Sequence, residues 1–157
     1  MIQCSAIFPW RLLCSVLLLV VSLNLAQAAG SQFEPWQAEL DAIPTPLAGL
    51  KGNPARGRTL AKEIDKGNCL ACHQLPIAEE AFQGTLGPPL AGVGARLSAG
   101  QMRLRIADET KVNPETVMPS FYRNPKTLYS VLDEYYGKTM LTAQEVEDIV
   151  AYLQTLK

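Results

Sequence analysis

The stretch Cys69-Leu70-Ala71-Cys72-His73 decides how this chain folds. Two cysteines separated by two residues and followed directly by a histidine form the C-x-x-C-H pattern of covalent haem attachment. On a helical turn, positions i, i+3 and i+4 lie on one face. Cys69 and Cys72 can therefore add to the two vinyl groups on one edge of a porphyrin, which brings His73 under the iron. The motif predicts one covalently bound haem c.

A zinc site, a dithiol redox motif and a disulfide each fit the cysteine pair poorly. A structural zinc site needs four ligands, but the chain has one histidine, and the remaining cysteines, Cys4 and Cys14, lie far upstream. A thioredoxin-like redox motif belongs to a βαβ unit, and the sequence has no convincing strand alternation. A disulfide between Cys69 and Cys72 would close too short a loop to stabilise a fold.

The second axial ligand must come from elsewhere in the chain. Because no other histidine exists, a methionine is the natural candidate, and methionine opposite histidine raises the haem potential. Met118 is the predicted ligand, since Pro119 disfavours a helix there and an ordered loop can carry the sulfur to the iron. Met140 is the second candidate and an open iron site the third. Met102 lies in a helical pattern, where a packing role is expected.

The segment Gly87-Pro88-Pro89-Leu90 follows the haem motif after a polar loop. Small monohaem cytochromes often carry Gly-Pro-x-Leu at this place. The Pro88 carbonyl is predicted to accept a hydrogen bond from the His73 nitrogen that faces away from the iron, which fixes the tautomer and orientation of the ring. An ordinary rigid loop is the alternative interpretation.

The first 28 residues resemble a secretory signal peptide. Arg11 is their only charged side chain, and an apolar run over residues 12–25 precedes Ala26-Gln27-Ala28, the small-x-small pattern of a cleavage site. Cleavage near Ala28 predicts a periplasmic protein, in the oxidising compartment where bacteria attach haem to cysteines. An uncleaved membrane anchor is the alternative, but the run is short for a bilayer span.

The remaining chain is predicted to be all-α: a helical domain over residues 54–157 wrapped around one haem, with an extended N-terminal arm over 29–53. Prolines scattered through the arm argue against a packed element there. Helices are predicted from Pro54 to about Lys66, from Ser98 to about Glu109, and from Thr142 to the C-terminal region. Their signals are a proline at the first helical position and two capping boxes, Ser98 with Gln101 and Thr142 with Glu145.

Two further features concern packing. Gly57 and Ala61 form a small-residue face on the first helix, which Tyr152 is placed to meet. Four of the five tyrosines lie at positions 122, 129, 135 and 136. These four are interpreted either as buried against haem or as part of a partner interface, where aromatic residues are enriched.

The formal net charge is −1 at pH 7, whereas nucleic-acid-binding domains carry a basic patch and a high pI. With both mature cysteines assigned to the porphyrin and the only histidine to iron, no catalytic set of residues is left on this chain. Bond-forming chemistry would therefore need a second protein.

Residues 54–157 resemble the class I cytochromes c and, more narrowly, the SoxX family, the monohaem subunits of the SoxAX cytochromes of bacterial sulfur oxidation. The resemblance is carried by GNCLACH (67–73), GTLGP (84–88), NPETVMP (113–119) with FYR (121–123), and LTAQEVEDIVAYL (141–153). The first and last blocks are common in small cytochromes. Their combination with the NPETVMP loop is much more specific.

The resemblance implies a heterodimer with a SoxA-like haem subunit, and a complex that joins thiosulfate oxidatively to a cysteine of the SoxYZ carrier protein. It places the reaction on SoxA and implies that this chain passes electrons to a soluble cytochrome c. It assigns Cys69 and Cys72 to the haem and His73 and Met118 to the iron.

Two competing functions remain open from the sequence. A free soluble cytochrome c shuttle needs only small, transient contacts, and the arm and aromatic-rich loop argue mildly against it. A haem sensor with an open iron site would bind carbon monoxide rapidly when reduced.

Overall fold

The computed structural model describes residues 33–128, 133 and 136–157. The predicted signal segment over residues 1–28, the start of the predicted arm, Tyr129 and Tyr135 lie outside this part of the chain. The described α-helices are α1 (Pro54–Lys62), α2 (Val93–Arg96), α3 (Ala99–Asp108) and α4 (Ala143–Thr155). Short 3-10 turns span Leu47–Gly49, Cys69–Ala71, Glu109–Lys111 and Pro125–Thr127.

The prediction of an all-α domain is confirmed. Within the described residues, the only β-type pairing is an isolated bridge between Glu39 and Ala42. In the same part of the chain, no helix is both long enough and apolar enough to cross a membrane.

The helix starts follow the predicted signals. In α3 the Ser98 hydroxyl accepts from the Gln101 N–H, and the Gln101 side chain accepts from the Ser98 N–H in return. Thr142 and Glu145 form the same reciprocal box at the start of α4. At α1 the Asn53 side chain accepts from two backbone N–H groups of the first turn. Each side chain satisfies donors that a helix start otherwise leaves without partners.

Helix α1 ends at Lys62, before the predicted end near Lys66, and that prediction was too long. Glu63 is extended (φ −66°, ψ 122°), and its carbonyl accepts hydrogen bonds from Lys66 and Asn68, both at 3.1 Å. Asn68 has a positive φ of 43°, which asparagine tolerates better than most residues. The turn over 63–68 therefore reverses the chain between α1 and the haem motif.

Helices α1 and α4 cross at Gly57. A Cβ atom on Gly57 would overlap the carbonyl oxygen of Asp148 and lie 2.9 Å from the nitrogen of Ile149. The small-residue face predicted on α1 is therefore used, and the predicted contact of Tyr152 with this face stays a prediction. The backbone of Asp148 and Ile149, one turn before Tyr152, packs directly on Gly57. This close approach is possible because glycine has no side chain there.

The described part of the N-terminal arm packs against the domain, contrary to the prediction that it is not a packed element. Ile43 and Leu47 are core residues with 2% and 3% of their surface exposed. The Ile43 N–H donates to the Gly100 carbonyl at 3.0 Å, and the Trp36 Nε1–H donates to the Tyr122 carbonyl at 3.0 Å. The prolines keep the arm irregular without keeping it off the core.

A buried ion pair fastens this arm to helices α3 and α4. Arg103 Nε lies 2.6 Å from Glu147 Oε1, and both side chains are only 4% exposed. Arg103 also donates to the Ile43 carbonyl at 2.7 Å. Glu147 accepts from the Leu47 N–H at 2.8 Å. Besides bonding to each other, each ion thus makes one hydrogen bond to the arm backbone.

Candidate functional site

The C-x-x-C-H motif forms the helical turn that its spacing predicts. Residues Cys69–Ala71 are a 3-10 turn, and the Cys69 carbonyl accepts from Cys72 N–H at 3.2 Å and His73 N–H at 2.8 Å. Leu70 anchors the turn in the core with 8% exposure. The two cysteines and the histidine are therefore fixed relative to one another by local backbone bonds.

The segment over residues 84–90 runs alongside this turn. The Gly84 N–H donates to the Leu70 carbonyl at 2.7 Å, and the Gly87 N–H donates to the Cys72 carbonyl at 2.8 Å. Farther along, the Leu90 N–H donates to the Gln74 carbonyl at 2.8 Å. These bonds hold the segment against the haem motif over its whole length.

His73 and Pro88 are brought together by this alignment. The Nδ1 atom of His73 lies 2.7 Å from the Pro88 carbonyl oxygen. Because a carbonyl can only accept, Nδ1 carries a proton, and in the neutral imidazole the free lone pair then belongs to Nε2. An imidazole held in this way can bind a metal through Nε2, in the orientation that metal-ligating histidines usually have.

Two glycines allow this close approach. A Cβ atom on Gly87 would overlap Cε1 of His73 and lie 2.6 Å from its Nδ1. On Gly84 a Cβ atom would overlap the carbonyl oxygen of Ala71. Neither glycine was assigned a role from the sequence, although the Gly-Pro pair beside the motif was a usable signal for a tight contact.

The two thiols are not joined to each other and are partly buried. Burial raises the pKa of the Cys69 thiol to about 11, because a thiolate loses hydration in a protein interior.

Met118 lies in a non-helical loop, as predicted, and is half-buried against the hydrophobic core. Its N–H donates to the Thr116 hydroxyl at 3.1 Å. Met140 is also half-buried against the core, so it stays an alternative ligand. Met102 is 1% exposed, and its sulfur lies 3.6 Å from the amide nitrogen of Gln154, which agrees with the packing role expected for it.

Asp108 is a residue of the site that was missed from the sequence. Its Oδ1 accepts from Thr110 at 2.6 Å and from Ser120 at 2.7 Å, at the two ends of the Met118 loop. Burial raises the pKa of Asp108, but these hydrogen bonds and the charge of Arg123 outweigh burial and leave the pKa below its usual value. No recognised motif includes Asp108 or Ser120, so the sequence carries no signal for this contact, although the two residues are only 12 positions apart.

The described tyrosines divide between burial and exposure. Tyr122 is fully buried; its hydroxyl accepts from the Glu34 N–H at 2.7 Å, and its ring lies 5.2 Å from that of Phe33. Tyr136 is 79% exposed. Tyr122 is thus buried beside Phe33, its burial against haem stays a prediction, and an interface role remains a prediction for Tyr136.

Comparison with known proteins identifies the family. A family model described as cytochrome c matches residues 54–157. The chain belongs to the cytochrome c family. Among solved structures, it is similar to a chain in the crystal structure of SoxXA from P. pantotrophus, with 35% identity and a TM-score of 0.70. That match covers 78% of this chain and 94% of the other, whereas the comparison with curated proteins found no match.

These matches confirm the class I cytochrome c fold and the predicted resemblance to the SoxX family. A cytochrome c of this type carries one covalently bound haem c. The residues present fit that group, because Cys69 and Cys72 are unpaired thiols at the C-x-x-C-H spacing. His73 completes the fit, with its Nδ1 held by Pro88 and its Nε2 lone pair available for iron.

Proposed function

We propose that this chain is the electron-transfer subunit of a periplasmic SoxAX-type complex that couples thiosulfate oxidatively to a cysteine of a SoxYZ-type carrier protein. The observation that carries the proposal is the 35% identity to a chain of the SoxXA structure, across 94% of that chain. A free shuttle would share the fold and the cofactor, but it need not resemble a subunit of a complex over nearly its full length.

Within this proposal each site residue has a distinct role. Cys69 and Cys72 would hold the porphyrin through thioethers, and His73 and Met118 would be the side chains that bind its iron. The Pro88 carbonyl accepts from Nδ1 of His73, which increases the electron donation of the imidazole to the iron. Gly87 leaves the room that this contact requires.

The coupling reaction forms one S–S bond between the carrier thiol and thiosulfate and releases one proton and two electrons. When bound, the haem supplies a one-electron redox site, so two successive transfers through this chain serve one coupling event. His73 is the only histidine of the chain, and its Nδ1 is held by Pro88. The bond-forming step therefore belongs to a SoxA-like partner, and a soluble cytochrome c is the proposed acceptor.

Export to the periplasm is part of the proposal and rests on the signal-like composition of residues 1–28. The test is N-terminal sequencing of the chain recovered from a periplasmic fraction. A mature protein that starts just after Ala28 supports export with cleavage. An intact N-terminus in the membrane fraction would instead support the membrane-anchor alternative.

Co-purification tests the assembly directly. The full chain, tagged at its C-terminus, is purified from the periplasm of thiosulfate-grown cells and separated on a gel stained for haem. A second haem-containing chain in equal amount supports a SoxA-like partner. Elution of the chain alone would contradict the proposed complex and favour the alternative function of a soluble electron shuttle.

The axial ligand is tested with two matched methionine variants. Met118→Ala is expected to abolish the methionine-to-iron charge-transfer band of the ferric protein and to lower its reduction potential, because methionine ligation raises the potential. Met140→Ala is the control, since Met140 is likewise half-buried against the core. A band that survives in Met118→Ala and disappears in Met140→Ala would assign the ligand to Met140.

A further inference from the structure

The loop that carries Met118 is closed by one buried carboxylate. Asp108 stands at the end of α3, and its side chain is 1% exposed. Its Oδ1 accepts from Thr110 at the entry of the loop and from Ser120 at the exit. Oδ2 lies 3.5 Å from Nε of Arg123. A single anion thus ties together both ends of residues 109–119.

The backbone on either side of this loop is firmly held. Phe121 and Tyr122 donate to the carbonyls of Ile106 and Ala107, both at 3.1 Å. Inside the loop, Met118 and Thr116 donate to near neighbours in sequence, at 3.1 Å and 3.2 Å. Ser120 stands between this anchored backbone and Met118, which is two positions earlier. The Asp108–Ser120 bond therefore holds the end of the loop that is next to Met118.

We propose that Asp108 and Ser120 are positioning residues that hold the Met118 loop closed and so determine how firmly the methionine sulfur stays on the haem iron. This inference rests on the proposed function, which makes Met118 the axial ligand. Hydrogen bonds to a charged acceptor are among the stronger ones in proteins. Losing the bond at the exit favours a loop conformation in which Met118 has left the iron.

Binding of imidazole to the ferric haem protein measures this opening. Imidazole can bind only after Met118 leaves, so its apparent affinity is its intrinsic affinity multiplied by the open fraction. Ser120→Ala is expected to raise that affinity by roughly tenfold or more, as for the loss of one hydrogen bond to a charged acceptor. Ser120→Thr keeps the hydroxyl and is expected to restore the wild-type affinity.

Thr110→Ala is the matched control. It removes a hydrogen bond of similar length to the same Oδ1 atom, but at the loop entry, next to the 3-10 turn Glu109–Lys111. We expect it to lower the stability of the fold but to raise imidazole affinity much less than Ser120→Ala does, because the Thr110 bond is local, spanning only two residues, and does not join the segment next to Met118 to Asp108. If Ser120→Ala acted only through a general loss of stability, imidazole affinity would rise equally in both variants.

The outcomes separate this inference from the proposed function. Wild-type imidazole affinity in Ser120→Ala overturns the inference, and so does an equal increase in Ser120→Ala and Thr110→Ala. If Met118→Ala has already lost its charge-transfer band, the ligand assignment survives either result. If that band persists in Met118→Ala, the ligand assignment fails and the inference fails with it.

Discussion

At the scale of single residues, the contact between His73 and Pro88 depends on the absence of a side chain at Gly87. The backbone there is not in the left-handed region, so glycine is needed for space rather than for conformation. Any Cβ would collide with the imidazole ring. The ring could then no longer both donate to Pro88 and point Nε2 at the iron.

We therefore expect Gly87→Ala to weaken the fold by about 1–3 kcal/mol, the usual cost of overpacking. We also expect the reduction potential to rise, because loss of the Nδ1 hydrogen bond reduces electron donation to ferric iron. Potentiometric titration and urea unfolding of the haem protein measure the two effects.

Gly49→Ala provides the control for Gly87→Ala. Gly49 has a φ of +65° but open space around its Cβ position, so alanine there costs about 1 kcal/mol through the backbone alone. The reduction potential of the Gly49→Ala variant should remain that of the wild type. An equal change of potential in both variants would contradict the crowding argument.

At the scale of elements, helix starts could be predicted and one helix end could not. A capping box is a signal within four residues, and both boxes predicted from the sequence are present. The end of α1 depends instead on Gly67, whose N–H donates to the Leu60 carbonyl at 3.2 Å. A Cβ on Gly67 would lie 3.2 Å from Ile149 of α4, a tertiary contact that no local pattern encodes.

The Arg103–Glu147 pair joins α3, α4 and the arm, and its removal is expected to loosen all three. Arg103→Met leaves Glu147 as a buried, unpaired charge, which typically costs about 3–5 kcal/mol. It also leaves the Ile43 carbonyl without the donor it has now. We expect a loss of stability in this range, together with faster proteolysis within the arm, by urea unfolding and limited digestion.

The double variant Arg103→Met, Glu147→Leu tests whether the unpaired charge is the cause. With both ions removed, apolar side chains can fill the space, and buried pairs replaced in this way often lose little stability. We expect the double variant to be more stable than either single variant. Additive losses would mean that the two ions act independently.

At the scale of the whole molecule, what could be predicted depended on distance along the chain. The haem motif and the Gly-Pro segment are close in sequence, and their local signals were sufficient to anticipate the contact of His73 with Pro88. The packing of the arm was missed because Leu47 is held by Glu147, which is 100 positions away. Patterns within a few turns of the chain carry no information on contacts of that range.

Two buried carboxylates, Glu145 and Glu109, contribute to the acid response of the whole molecule in opposite directions. Glu145 and Glu109 have side chains 11% and 12% exposed, and each lies 2.7 Å from one cation, Lys66 and Arg105. Glu145 Oε2 also accepts from the Thr142 N–H at 2.8 Å. Glu109 Oε2 is buried without a hydrogen-bond partner among the described residues.

Whether Oε2 has a hydrogen-bond donor therefore decides if the pKa of each carboxylate is lowered or raised. Burial raises the pKa of both groups, but at Glu145 the hydrogen bonds from Lys66 and Thr142 outweigh burial, and the pKa is lowered. At Glu109 burial dominates over Arg105, and the pKa is raised. Glu145 thus contributes stability above its unfolded pKa of about 4.3, which is lost as pH falls through its folded pKa. Glu109 contributes stability below about 4.3 that is lost as pH rises through its folded pKa.

The same substitution at the two positions should therefore give opposite pH dependence. Relative to Glu145→Gln, the wild type should lose stability as pH falls from about 6 to about 3, through the unfolded carboxyl pKa. Relative to Glu109→Gln, it should gain stability over the same range. Urea unfolding of the haem protein at several pH values measures both differences. Curves that shift in the same direction would show that the unpartnered oxygen of Glu109 does not control its titration.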